Sequence, residues 1–182
     1  MGVGILGGSL LLLAFFGERV FSSGARGAMA MGWLYAARGV GAGIGPLVGD
    51  FLTRGDERRM WKSISLSYLL VGAAYVCFSR APNLALGALA VFFAHSGASN
   101  VWVMSTTLLH INTDERYRGR VFALDLGLIM LAVTVTTYLL GAGLDTGRLG
   151  ARHLAALFGC VLAVPGLLWL PAQARWAKAQ NL

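Results

Sequence analysis

One stretch decides the fold of this chain: residues 35–50, which read YAARGVGAGIGPLVGD. Gly41, Gly45 and Gly49 recur every four residues, so on a helix they form one bare stripe that a second helix can approach closely. The stretch lies inside a longer apolar segment, residues 28–52, which is long enough to cross the hydrocarbon core of a bilayer. We therefore predict a membrane-spanning helix that packs through its glycines.

Arg38 lies roughly half-way along this segment, where a charge is costly and by default marks a polar pathway or a paired site. The eight Asp and Glu residues of the chain fall in loops or at the ends of apolar runs, so none is expected at the depth of Arg38. Its partner is then a set of neutral groups such as backbone carbonyls, Asn100 or Ser99, a missing part of the protein, or an anionic substrate. The sequence leaves these three alternatives open.

The composition favours a membrane protein along the whole chain. Of its 182 residues, 57% are hydrophobic and only 13% are charged, and the mean hydropathy is +0.67. Soluble domains carry about 25% charged residues. The net charge of +7 is concentrated in short loops between apolar runs, which is typical of membrane loops and argues against a nucleic-acid partner. The three histidines and two cysteines are scattered, so we predict no metal and no cofactor.

Six apolar runs divide the chain, and we predict an all-α integral membrane protein, a bundle of six transmembrane helices. The first run is short for a complete span, as if its beginning were missing. The loops after the second and fourth runs and the tail hold nine Lys and Arg residues, against five in the opposite loops, so both termini are expected in the cytoplasm. The predicted spans are residues 1–17, 28–52, 63–78, 84–109, 122–144 and 154–170, followed by a cytoplasmic tail at 171–182.

The end of the second span and the loop after it resemble a transporter signature. Residues 45–59, which read GPLVGDFLTRGDERR, are similar to the glycine, aspartate and basic-residue loop of the major facilitator superfamily. Residues 118–121, RGRV, are similar to the segment that precedes the eleventh helix of such transporters. The likeness is to the bacterial drug and siderophore exporters of that superfamily, and it covers nearly the whole chain as the carboxy-terminal half of a twelve-helix protein.

This resemblance implies secondary active transport of a small solute out of a bacterial cell, by alternating access between two six-helix halves in the inner membrane. It also implies protons as the coupling ion. The second half is either a missing amino-terminal half, if the chain is a fragment, or a second copy, if a half-size protein dimerises. The alternative is a non-transporting membrane fragment or accessory subunit that packs against a partner. The loops offer no recognisable catalytic spacing, so we predict that the chain is not an enzyme.

The polar residues inside the spans are candidates for a substrate pathway. His95 and Ser99 are one helical turn apart with Asn100 beside them, and in lipid such groups turn inward to join helices or to line a cavity. Thr134 and Tyr138 share one face of the fifth span, although a threonine hydroxyl can equally bond back to its own helix. The predicted pathway comprises Arg38, His95, Ser99, Asn100, Thr134 and Tyr138.

A second candidate site lies at the cytoplasmic ends of the helices. The resemblance implies a gate in which Asp50 accepts hydrogen bonds from the amino end of the fifth span, where the helix dipole favours an anion. Arg54 and Arg120 are its candidate partners. The simpler alternative is that Asp50 merely ends its helix in the headgroup region.

Overall fold

The computed structural model describes residues 7–21, 25–147 and 149–179, and within these ranges the chain is helical, with short turns and no strand. The all-α prediction is therefore confirmed. The helices are α1 (Ser9–Phe15), which continues as a π-helix (Phe16–Phe21), α2 (Ala25–Thr53), α3 (Glu57–Arg80), α4 (Leu84–Ile111), α5 (Glu115–Asp145) and α6 (Ala151–Ala179).

Four of these helices are long and apolar enough to cross a bilayer: α3, α4, α5 and the part of α6 up to Trp169. The 29-residue α2 is long enough, but it is not one of the four, because its many glycines and Arg38 lower its mean hydropathy. α1 has only seven residues. Helix α6 runs on through Pro171 to Ala179, so the backbone of residues 171–179 continues the last helix.

Local side chains set the helix boundaries. The carboxylates of Asp56 and Asp114 and the amide oxygen of Asn83 each accept a backbone N–H at 2.9–3.0 Å, and they cap the amino ends of α3, α5 and α4. Helix α2 ends in a turn whose residues Arg54 and Gly55 have positive φ angles of 50° and 76°.

The helices pack in a continuous series: α2 on α4, α4 on α3, and α3 on α6. Tyr75 and Phe158 hold the last pair together, with ring centroids 5.0 Å apart in an edge-on arrangement. Phe78 stacks with Phe16 at 4.5 Å and so ties the short first helix to α3. All four rings are at least nine-tenths buried, which places the centre of the core between α1, α3 and α6.

The glycine stripe of α2 lies directly against α4. A Cβ atom on Gly41 or Gly45 would collide with α4 backbone atoms, and one on Gly49 would collide with an α4 side-chain amide, whereas a Cβ on Gly43 would meet open space. The prediction that this stripe serves helix packing is confirmed. The facing residues of α4 are also four apart: Phe92, Ser96 and Asn100.

Glycines make the contact between α3 and α6 as well. A Cβ on Gly72 would lie 2.8 Å from the Gly159 carbonyl oxygen, and one on Gly159 would lie 2.7 Å from the Gly72 carbonyl oxygen. Gly166 sits equally close to the Ser65 carbonyl oxygen. The backbones of α3 and α6 therefore approach closely at these glycines.

Candidate functional site

The strongest candidate site surrounds Arg38 in the middle of α2. Its Nε atom is buried and has no hydrogen-bond partner among the described residues. The Tyr75 hydroxyl on α3 is also buried, and the Ser9 hydroxyl of α1 lies near enough to interact with it. His95 on α4 is 6% exposed, and its ring meets the Tyr75 ring edge-on with centroids 6.3 Å apart. The Arg38 guanidinium is near enough to act electrostatically on both rings. Arg38, Tyr75 and His95 together are called the Arg38 cluster below.

The hydrogen bond of His95 fixes which of its two ring nitrogens carries the proton. Nδ1 lies 3.1 Å from the Val91 carbonyl oxygen, and because a carbonyl can only accept, Nδ1 carries the proton. In the neutral ring Nε2 is then an acceptor. The cluster thus contains one buried donor without an acceptor, on Arg38, together with one histidine acceptor.

None of the neutral groups expected as partners of Arg38 forms a hydrogen bond with its Nε atom. Asn100 instead donates its Nδ2 protons to the hydroxyls of Ser63, at 2.7 Å, and Ser67, at 2.8 Å, and so joins α4 to α3. Asn100 is five residues beyond His95, which turns it to a different face of α4. No carboxylate within the described ranges forms an ion pair with Arg38.

The other predicted pathway residues lie apart from the cluster. Ser99 is half-buried on α4. On α5, Thr134 is exposed and donates to the Met130 carbonyl oxygen of its own helix at 2.9 Å, which is the simpler alternative for that hydroxyl. Tyr138 is 73% exposed. The structure therefore brings Arg38 and His95 together but leaves Thr134 and Tyr138 on the outside of the bundle.

The three predicted gate residues are all exposed and do not meet. Asp50 lies in the last turn of α2, where its carbonyl oxygen accepts from the Arg54 N–H at 2.8 Å. No ion pair joins its carboxylate to Arg54 or Arg120 in the part of the chain that the structure describes. Arg120 lies near the start of α5, whose main contacts are with α1 and α6 rather than with α2.

Sequence reasoning missed Tyr75, Ser63 and Ser67. Tyr75 sits in an apolar run that reads as ordinary core, so nothing in the sequence distinguishes it from a packing residue. The two serines carried a usable signal, because they are four residues apart on α3 and therefore share one face of that helix.

No protein-family model, curated protein or solved structure matches this chain. The likeness to the major facilitator superfamily therefore rests on the quoted residues alone.

Proposed function

We propose that this chain is one six-helix half of a membrane transporter, and that the Arg38 cluster contacts the transported solute. The observation that carries the proposal is the buried Arg38 Nε, which has no acceptor among the described residues. A charged group in an apolar helix is costly, and such groups are usually kept where they bind or conduct something polar. The four helices that are long and apolar enough to cross a bilayer support the membrane location.

The donors of the Arg38 cluster favour a solute that carries a hydrogen-bond acceptor. A buried donor without a partner costs about 1–3 kcal/mol, and more when the group is charged. Arg38 regains that free energy if a carboxylate or carbonyl oxygen of the solute reaches its Nε atom. His95 adds an acceptor at Nε2 for a polar hydrogen of the same molecule. The proposed cargo is a small molecule with at least one oxygen acceptor, and an anion fits best.

The rest of the transporter is a second six-helix half, which is either a preceding half or another copy of this chain. Alternating access then works by rocking one half against the other in the plasma membrane of a bacterium, with both termini in the cytoplasm. Asp50, Arg54 and Arg120 form the gate in a closed state of that assembly. Proton coupling is part of the proposal, with export as the direction.

A non-transporting accessory subunit is the second candidate, because the exposed α5 calls for a covering partner but not for transport. Only Ile129 and Leu140 of its 31 residues are buried. A helix of this kind suits a subunit that packs against a partner through one apolar face.

The test is uptake of labelled solutes into proteoliposomes that contain the complete assembly, using a panel of small carboxylates, zwitterions and organic cations. We expect Arg38→Ala to lower the initial rate of carboxylate uptake at least about 10-fold, since each buried charge-assisted hydrogen bond contributes about 1.5–3 kcal/mol. Arg38→Lys keeps the charge but loses the planar donor geometry, so it should recover only part of the rate.

Arg26→Ala is the matched control, because Arg26 is exposed near the start of the same helix. It should transport at the normal rate. Full uptake by Arg38→Ala, at normal levels in the membrane, would overturn the role of the cluster. Absence of uptake for every solute, together with stable co-purification of another membrane protein, would favour the accessory subunit.

A further inference from the structure

A groove runs along the outside of the bundle between α2 and α3, with α4 as its floor. Its volume is about 540 Å³. The groove exists because α2 and α3 both pack on α4 but make few contacts with each other. We call it the α2–α3 groove, and its walls contain Ile44, Val48, Leu52, Leu66, Leu70 and Phe93.

The polarity of the groove changes from one end to the other. Arg59 and Lys62, both exposed, stand at the end near the α2–α3 turn, and Ser63 and Ser67 follow along α3. Beyond them the walls are almost entirely aliphatic and aromatic. No Asp or Glu lines the groove. This is the charge distribution that suits an anionic head attached to an apolar tail.

The hydroxyl protons of Ser63 and Ser67 have no acceptor among the described residues. Both hydroxyl oxygens accept from the Asn100 amide, at 2.7 and 2.8 Å, so each O–H points away from that amide. Other serines of these helices donate to a carbonyl of their own turn, as Ser65 and Ser96 do. No such bond forms at Ser63 or Ser67 within the described residues. The groove thus holds two further donors just below its basic end.

The length of the groove fits one leaflet of a bilayer. From Arg59 to Leu70 the helix rises about 16 Å at 1.5 Å per residue, and half of the hydrocarbon core is about 15 Å thick. The basic end lies on the loop that the excess of Lys and Arg assigns to the cytoplasm, where anionic lipids are concentrated.

From these observations we propose that the α2–α3 groove binds an anionic phospholipid. The phosphate is held by Arg59 and Lys62, the glycerol and ester region lies against Ser63 and Ser67, and one acyl chain fills the apolar length. This inference needs the chain to be in a membrane but does not need it to transport anything.

The test is native mass spectrometry of the full chain, released from nanodiscs of phosphatidylcholine with a minor fraction of phosphatidylglycerol. Wild type should retain one phosphatidylglycerol per chain in preference to phosphatidylcholine. The double substitution Arg59→Gln and Lys62→Gln should weaken phosphatidylglycerol binding roughly 30-fold, since each basic residue near an anionic surface contributes about a 5-fold change. The matched control is Arg116→Gln with Arg118→Gln, which removes the same charge from the first turn of α5 and should leave binding unchanged.

A second pair of variants tests the apolar part. Val48→Trp places an indole inside the groove and should displace the lipid, whereas Leu47→Trp changes a 73% exposed neighbour outside it and should not. Three results would overturn the proposal: equal retention of phosphatidylcholine and phosphatidylglycerol, an equal loss in both charge doubles, or a wild-type spectrum of lipid-free dimers. None of these readouts depends on transport, so the lipid site and the proposed function can fail separately.

Discussion

Helices α4 and α5 are similar in length and both apolar, yet they differ in how many of their residues are buried in the bundle. α4 has a mean hydropathy of 1.4 over its most apolar window and buries eleven of its residues, from Gly87 to Leu108. α5 is more apolar, at 1.9, but buries only two. The hydropathy of a helix in this bundle therefore says little about how much of it contacts other helices.

Small residues explain the difference better than hydropathy does. α4 receives the glycine stripe of α2 on one side, and its own Gly97 lies against the α3 backbone on another. On α5, Gly119 and Gly127 face open space, and Gly141 and Gly143 meet only side chains. Since lipid tails are as apolar as leucine, helices associate where their backbones can come close. The contrast between the packed series and α5 leads to three predictions.

The largest effect is expected in the packed series at Phe158. Phe158→Ala removes a buried ring that contacts Tyr75 and leaves a cavity, so the free energy of unfolding should fall by about 3 kcal/mol. Leu157→Ala is the matched control, because Leu157 is the next residue of α6 and is 52% exposed. Its effect should be below about 0.5 kcal/mol. Both are measured by circular dichroism during denaturant unfolding in detergent micelles. Equal losses in the two variants would contradict the described packing of α6.

An intermediate effect is expected in the glycine stripe. Gly45→Ala introduces a Cβ that collides with the Ser96 carbonyl, so α2 must move away from α4, at a cost of about 1–3 kcal/mol. Gly43→Ala adds the same methyl group on the open face of α2 and should be neutral or slightly stabilising, because alanine favours a helix over glycine. The same unfolding experiment checks both. A Gly45→Ala variant as stable as Gly43→Ala would mean that α2 and α4 do not touch along this stripe.

The smallest effect is expected on α5. Leu131 is 60% exposed, so Leu131→Ala in the isolated chain should change the free energy of unfolding by less than about 0.5 kcal/mol. If a second half covers this face, the same substitution should weaken its association by about 1 kcal/mol, which fluorescence energy transfer between labelled halves in liposomes would measure. A large loss of stability in the isolated chain would show that α5 packs within this bundle.

Several features of the fold follow directly from the sequence. The apolar runs predict the helices, and Asp56, Asn83 and Asp114 end the polar connections as caps because their short side chains reach the free N–H groups of a helix start. The spacing of Gly41, Gly45 and Gly49 correctly predicts a packing face. Arg38 stands out without any structure, since no acidic residue is expected at its depth.

Other features of the site depend on how the helices are arranged. Asn100 is adjacent to Ser99 in sequence and was grouped with His95, but the rotation of 100° per residue turns it toward Ser63 and Ser67 on α3 instead. Tyr75 joins Arg38 and His95 from another helix, and no local pattern indicates that. Thr134 and Tyr138 share a face as predicted, and only the packing of α5 decides that this face is outside.

The sequence by itself thus determined which segments are helical, although not their ends, and that α2 carries both a bare glycine face and an arginine within its apolar stretch. These properties depend on neighbours within about one helical turn, where hydrogen bonding and side-chain periodicity act. The tertiary structure alone decided that α2 pairs with α4 and α3 with α6, that Arg38 lies near the Tyr75–His95 ring pair, and that a groove opens between α2 and α3. Those pairings depend on the fit of surfaces far apart in the chain, because in an apolar surrounding close backbone approach, and not hydropathy, selects the partner.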